Sequence, residues 1–171
     1  MKIRSARLLA YRDRTRQWYQ RKKNLPELSL KGRALAFLGR REHSRAELAR
    51  KLASHAESRE QVETLLDELI QQGFLSDERF AESRINARAG RHGSQRIARE
   101  LRQKGVAEAV VTEMVADLKT DDLQTAKALW ARKFGVPPKD AKEKGRQIRF
   151  LQSRGFSFDI IRRVLAVDED E

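Results

Sequence analysis

The sequence contains no cysteine, and only three of its 171 residues are proline. Without thiols the chain can form no disulfide and offers no thiolate for catalysis or metal binding. Aromatic residues are also scarce, at 6%, and no run of about 18 apolar residues occurs that could span a membrane. The basic N-terminal segment lacks the apolar stretch of a secretory signal. We therefore expect a cytoplasmic protein with no membrane association.

Charged residues are abundant, at 36% of the chain, and they leave a net charge of +12. The first 60 residues carry most of the excess, with 17 Lys and Arg against 6 Asp and Glu. By contrast, residues 168–171 are all acidic. A basic field of this kind points to a polyanionic partner, most often nucleic acid.

An apolar helical pattern occurs three times along the chain. The triad recurs at offsets of 49 and then 50 residues: Val62, Leu65 and Leu66; Val111, Met114 and Val115; Ile161, Val164 and Leu165. Leu52 follows the same offsets to Leu101 and Leu151, so a second helix in each unit keeps the period. Repeated helix pairs predict stacked helical units. No segment alternates with period two, so we predict an all-α fold without a sheet.

The repeat predicts an elongated tandem array of three three-helix units. The boundaries are 1–28 for a basic arm, 29–73, 74–119 and 120–167 for the units, and 168–171 for an acidic tail. The arm interleaves cations with Tyr11, Trp18 and Tyr19, a combination suited to stacking bases and holding phosphates. A partly helical extension without a binding role is the alternative interpretation of the arm.

Local signals define the ends of nine predicted helices. Ser44 and Glu47 match the S-x-x-E capping box at the start of one helix. Gly73, Gly105 and Gly155 are interpreted as the residues at which helices end. Between residues 108 and 134 the pattern is interpreted as two helices, 108–118 and 121–134.

Cations on helix faces are the candidate contact residues. The first patch, in the middle unit, comprises Arg84, Arg88, Arg91, Arg96, Arg99, Arg102 and Lys104. Its first three members are spaced i, i+4, i+7 and the next three i, i+3, i+6, which predicts a shared face for each group. The second patch comprises Lys142, Arg146 and Arg149. Solvated faces that serve solubility are the alternative interpretation.

Signatures of catalysis are missing from the sequence. His43, His55 and His92 are too scattered for a zinc site, and no cysteine can complete one. Neither a G-x-x-x-x-G-K-[ST] loop nor a G-x-G-x-x-G turn occurs. We predict a protein that is not an enzyme and needs no cofactor.

Several segments, taken in order, resemble the RecX family. Residues 73–81 read Gly-Phe-Leu-Ser-Asp-Glu-Arg-Phe-Ala and look like the signature that opens the family's middle repeat. The other similar segments are 41–52 in the first repeat, 93–106 in the second, and 132–135 with 149–156 in the third. Ser76 stands where the family usually has Asn or Asp, which keeps a side chain able to cap a helix.

This resemblance implies a regulator of the RecA recombinase. RecX proteins are three tandem three-helix units that bind RecA and its nucleoprotein filament and oppose its growth, ATPase, strand exchange and coprotease activity. The implied partners are RecA, the RecA-DNA filament, and single-stranded DNA contacted directly or within the filament. The implied role is to modulate DNA repair and the SOS response, and we expect a monomer. The basic arm lies outside the shared region, so no family role transfers to it.

A different class of protein remains open as the alternative, an autonomous DNA-binding regulator of helix-turn-helix type. Residues 44–52 would then be its recognition helix. The spread of basic residues over all three units favours the first interpretation, because a sequence reader usually concentrates its contacts on one recognition helix.

Overall fold

The computed structural model describes residues 28–166 of the chain. This part contains eight α-helices: α1 (Leu30–Leu38), α2 (Arg45–Leu52), α3 (Arg59–Gln71), α4 (Asp77–Arg88), α5 (Ser94–Gln103), α6 (Glu108–Lys133), α7 (Ala141–Arg154) and α8 (Phe158–Leu165). A short 3-10 turn, Ala53–His55, extends α2. The same stretch contains no strand, so the all-α prediction is confirmed there. Almost all of the predicted arm and the whole predicted tail lie outside the described residues.

Short polar side chains start most of the helices. In residues 28–166, six helices begin after a serine or aspartate whose side chain accepts a backbone N–H: Ser29, Ser44, Ser58, Ser76, Asp140 and Ser157. Each such cap stabilises its helix by about 1 kcal/mol. The predicted capping box is half formed, since Ser44 accepts from the Glu47 backbone N–H at 3.1 Å while the Glu47 carboxylate binds other residues.

Three separate apolar cores divide the helices into three units, as the repeat predicted. Unit 1 is built from α1, α2 and α3 and buries Leu52, Leu66 and Leu69. Unit 2 combines α4 and α5 with the first half of α6, around a core of Phe80, Ile97, Leu101, Val106, Val111 and Val115. Unit 3 combines the second half of α6 with α7 and α8, around a core of Ala126, Leu129, Leu151, Phe156, Ile161 and Val164. Each unit thus has its own buried interior.

The prediction of nine helices is wrong for the described chain, because α6 runs unbroken from Glu108 to Lys133. Residues 116–124 contain no glycine or proline. A stretch of helix-compatible residues without a breaker continues a helix that is already formed. The third helix of unit 2 and the first helix of unit 3 are therefore one element, which both cores share. Helix α1 is also shorter than expected and ends at Leu38 rather than at Arg41.

Two kinds of feature are missing from the described residues, a membrane-spanning helix and a metal-binding cluster. Between residues 28 and 166, no helix combines the length and the apolarity needed to cross a membrane. The same residues contain no cluster of three or more histidine or carboxylate side chains that could hold a metal ion.

Candidate functional site

The first two cations of the first patch bind a carboxylate inside unit 2. Arg88 donates two hydrogen bonds to the Glu100 carboxylate, at 3.0 and 3.3 Å. Arg84 lies 3.7 Å from the same carboxylate. The hydrogen bonds from Arg88 and the charge of both arginines outweigh burial and lower the pKa of Glu100. Reversing both arginines to glutamate would crowd three carboxylates together, so these two side chains tie α4 to α5 as well as adding positive charge.

Arg91 does not share the face of Arg84 and Arg88, contrary to the i, i+4, i+7 prediction. Helix α4 ends at Arg88, and Gly90 follows in the left-handed region with φ +68°. The turn carries Arg91 away from the helix axis and leaves its side chain exposed. Its carbonyl accepts a hydrogen bond from Arg154 of unit 3 at 3.3 Å. Arg91 therefore lies at the boundary between units 2 and 3.

The next four cations of the patch have different surroundings. Arg102 forms a two-pronged ion pair with Glu108 at 2.6 and 2.7 Å, and both side chains are exposed. Lys104 binds Glu47 at 2.9 Å across the boundary between units 1 and 2. Arg96 donates to the Ser153 carbonyl of unit 3. Arg99 is exposed and has no ion-pair partner among residues 28–166.

The second patch lies on α7, where its three cations share one helical face. Lys142, Arg146 and Arg149 are exposed, and within the described chain none of them forms an ion pair. Arg146 lies 5.5 Å from the centre of the Phe134 ring, which packs edge-on against Phe150. A cation over an aromatic face keeps its charge available to a partner. The α7 patch is therefore the less neutralised of the two.

Two aspartates that the sequence interpretation missed fasten the units to one another. At the first joint, between units 1 and 2, Asp77 accepts a hydrogen bond from the Arg45 backbone N–H at 2.8 Å. At the second joint, between units 2 and 3, buried Asp122 accepts from the Ser94 backbone N–H at 2.9 Å and from the Ser94 hydroxyl at 2.6 Å. In both joints a carboxylate of the following unit caps the second helix of the preceding one.

At each joint a glycine of the following unit also packs closely against the start of the same second helix. Gly105, with φ +77°, packs against Ala46, and the Ser44 hydroxyl donates to the adjacent Lys104 carbonyl at 2.6 Å. Gly155, with φ +88°, packs against the backbone of Arg96. Beside it, the Gly93 N–H donates to the Arg154 carbonyl at 2.9 Å. The two joints thus reuse one arrangement at the period of the repeat: Ser44 and Gly93, which precede the second helices, are 49 residues apart, and Gly105 and Gly155 are 50 apart. The spacing of Gly105 and Gly155 is its sequence signal.

Glu47 lies at the centre of the first joint with only 7% of its side chain exposed. Its carboxylate binds Lys104 and Arg41, both at 2.9 Å. Burial by itself raises the pKa of this carboxyl group, but the hydrogen bonds and charges of Lys104 and Arg41 prevail and lower the pKa from 4.5 to about 2. The ionised form is therefore favoured by the folded state.

We expect the first joint to weaken in acid because of Glu47. A carboxyl group whose pKa is lower in the folded state contributes stability above its unfolded pKa of 4.5, and the contribution disappears as the pH falls toward 2. The loss is at most about 3 kcal/mol. Urea unfolding of the wild type and of Glu47→Gln across this range measures it. Equal pH dependence in the two proteins would contradict the assignment.

Two histidines lie close to the joints, and neither shows the surroundings of a metal ligand. His43 is buried in unit 1, and its Nδ1 lies 3.0 Å from the Arg41 carbonyl. His92 directly precedes Gly93, which lies in the second joint. Burial, the main cause in each case, lowers the pKa of both imidazoles. Burial therefore disfavours the charged form of both rings.

Tandem three-helix units, joined by repeated polar contacts and bearing cations on their outer helices, define a regular helical-repeat protein. Family models for RecX match the three units in order: the first three-helix domain over residues 31–69, the second over 76–115 and the third over 120–165. Together these matches cover more than half of the chain. The chain belongs to the RecX family.

Curated relatives named Regulatory protein RecX are similar over most of the chain. The protein from Leptothrix cholodnii is 51% identical over 148 residues, which cover 86% of this chain and 94% of the relative. The protein from Ralstonia pickettii is 48% identical and covers 81% of this chain and 87% of the relative. The protein from Neisseria meningitidis is 40% identical and covers 85% and 95%.

Solved structures share the fold. The crystal structure of RecX from Lactobacillus salivarius superposes with a TM-score of 0.68 at 20% identity and covers 80% of this chain and 92% of its own. A second crystal structure of a regulatory protein RecX gives a TM-score of 0.67 at 22% identity and covers 79% of this chain and 69% of its own. At these identities the likeness concerns the fold alone.

Proposed function

We propose that this protein regulates the RecA recombinase: it binds RecA and its nucleoprotein filament and inhibits the recombinase, ATPase and coprotease activities. By this route it modulates DNA repair and the SOS response. The observation that carries the proposal is the match of all three units, in order, to the three RecX domains. The name of the relatives, Regulatory protein RecX, agrees with a regulatory role in place of catalysis.

The proposed contact surface consists of the cations that have no carboxylate partner between residues 28 and 166. Six of the ten candidate residues meet this condition and are exposed, and Arg96 is one of them, but its side chain donates to the Ser153 carbonyl. The other five make no such hydrogen bond within this part of the chain: Arg91, Arg99, Lys142, Arg146 and Arg149. In this proposal they contact DNA phosphates inside the filament or acidic side chains of RecA. Arg84, Arg88, Arg96, Arg102 and Lys104 take part in contacts within this chain and contribute mainly to the surrounding field. In this proposal the protein acts as a cytoplasmic monomer.

The structure disfavours the alternative of a helix-turn-helix regulator that reads sequence with α2. The start of a recognition helix has to enter the major groove. Here that start is enclosed by the first joint, because Ser44 is fully buried and Ala46 packs against Gly105. The Arg45 backbone N–H is also bound to Asp77. A duplex could reach these residues only if units 1 and 2 separated.

We expect the wild-type protein to slow ATP hydrolysis by RecA on single-stranded DNA at stoichiometric ratios. A triple variant, Arg91→Glu, Lys142→Glu and Arg146→Glu, should need a concentration about tenfold higher or more, because it reverses charges at the proposed contact. The matched control reverses Arg40, Arg132 and Arg163, which are exposed and have no ion pair in the described chain. Both assays follow phosphate release.

The outcomes separate the function from the site. No inhibition by the wild type would overturn the proposed function. Equal weakening by the two triple variants would show that long-range charge is responsible, and the assignment of the contact residues would then be wrong. Exposed substitutions change stability little, so both variants should melt like the wild type.

A further inference from the structure

We infer that Arg50, Arg99 and Arg149 form a row of equivalent contacts, one in each unit, for the phosphate backbone of a nucleic acid. This arginine row deepens the proposed function, since it rests on the nucleic-acid contact included there and names residues for it. The row joins a member of each candidate patch to Arg50, which lies in neither patch.

The three arginines occupy one position of the repeat. Their offsets are 49 and 50 residues, the same as those of the core leucines Leu52, Leu101 and Leu151. Each arginine precedes its leucine by two residues on the second helix of the unit. All three leucines are fully buried, and two helical positions correspond to about 200° of rotation. Each arginine therefore points away from its core, and all three are exposed.

The repeated joints arrange these positions along a regular path. The same contacts connect unit 1 to unit 2 and unit 2 to unit 3: a glycine against the start of the second helix and a carboxylate that caps it. When successive units are related by nearly one operation, equivalent side chains follow a regular course along the stack. The backbone of a nucleic acid is a polyanion with evenly spaced charges, which matches such a row.

The row is available for an anion, unlike most cations around it. Within residues 28–166, no carboxylate lies within ion-pair distance of Arg50, Arg99 or Arg149, whereas Arg88 and Arg102 are held by glutamates. Arg50 donates through Nε to the Ala46 carbonyl at 3.2 Å, which leaves its terminal nitrogens free. A guanidinium with two free N–H groups binds phosphate in a two-pronged geometry.

Grooves lie beside two members of the row, and the groove of unit 2 carries positive charge without an acidic side chain. Arg50 and Arg99 line equivalent grooves between the second and third helices of units 1 and 2, with Val62 and Val111 at matching positions. The groove of unit 2 adds Lys119 and Arg102, the latter paired with Glu108, and no acidic side chain lines it. The groove of unit 1 adds Arg59 together with Glu57 and Glu63. The basic groove of unit 2 can hold a stretch of phosphate backbone beside Arg99.

The test is a salt titration of oligothymidylate binding by the full chain, followed by fluorescence anisotropy. The triple variant Arg50→Gln, Arg99→Gln and Arg149→Gln should flatten the slope of log affinity against log salt by about 2, and each single variant by about 0.7. Between 50 and 200 mM salt the wild type should then lose roughly 20-fold more affinity than the triple variant. The equivalence of the positions predicts similar effects for the three single variants.

The control replaces Arg40, Arg132 and Arg163 by glutamine, which removes the same charge from exposed positions outside the row. A control slope that flattens as much would overturn the inference, as would a wild type that does not bind oligothymidylate. An unchanged slope in the row variant together with lost inhibition of RecA would assign these arginines to a protein contact. A third outcome combines a flattened slope in the row variant with a wild type that does not inhibit RecA. This result would overturn the proposed function and support the arginine row.

Discussion

Gly155→Ala should destabilise the protein by about 3 to 5 kcal/mol, combining backbone strain with overpacking. Gly155 has φ +88°, a region that side chains with a Cβ rarely adopt. An added Cβ would collide with the Cβ of Arg96 and would lie 2.6 Å from its backbone nitrogen. Neither backbone can retreat easily, because the Gly93 N–H is bound to the Arg154 carbonyl at 2.9 Å in the same joint. The joint between units 2 and 3 must therefore open or shift.

Gly90→Ala is the matched control for this prediction. Gly90 also has a positive φ, of +68°, but no atom lies within 4 Å of a Cβ built there. Its replacement should cost only the strain of the left-handed conformation, about 1 to 2 kcal/mol. Urea unfolding followed by circular dichroism measures both variants, and the difference between them reports the close packing of the joint. Equal losses would mean that the second joint adapts to the extra methyl group.

Leu66→Ala should lower the free energy of unfolding by about 2 to 4 kcal/mol through a cavity in unit 1. Leu66 is fully buried among the side chains of the first core. Val115→Ala should cost less, because it removes fewer carbon atoms from the core of unit 2 than Leu66→Ala removes from the core of unit 1. Chemical denaturation of both single variants gives the values. Losses below about 0.5 kcal/mol at both sites would show that the repeated apolar stripe does not form the cores.

The double variant tests whether the two cores are independent. Leu66 and Val115 belong to different clusters. Substitutions at distant sites without shared partners add within about 0.5 kcal/mol, so the coupling energy should be small. A larger coupling would show that the first joint transmits the cavity from one unit to the next.

The units and their cores could be predicted from the sequence because apolar periodicity reports burial directly. Leu52, Leu101 and Leu151 repeat with the period of the fold, and each is fully buried. The unbroken α6 was missed for a different reason. A polar segment such as 116–124 is equally compatible with a loop and with an exposed helix, and only the packing of both halves of α6 decides between them.

The candidate contact residues show where sequence spacing stops being informative. Spacing predicts which side chains share a helix face, and it did so for Lys142, Arg146 and Arg149. It does not reveal the partner that lies across the interface, so the neutralisation of Arg84 and Arg88 by Glu100 was invisible. The capping aspartates escaped notice because Asp77 and Asp122 are 45 residues apart and so depart from the period of the cores.

Because units 2 and 3 share helix α6, the connection between them is stiffer than the connection between units 1 and 2. Units 2 and 3 are connected by a continuous rod of 26 residues, which resists bending and twisting. Units 1 and 2 are connected by the short turn 72–76, and ion pairs that salt and acid can loosen fasten them side by side. We therefore expect flexing to concentrate at the first joint. Units 2 and 3 would then bind a curved partner first, as one rigid body, and unit 1 would adjust its position relative to them.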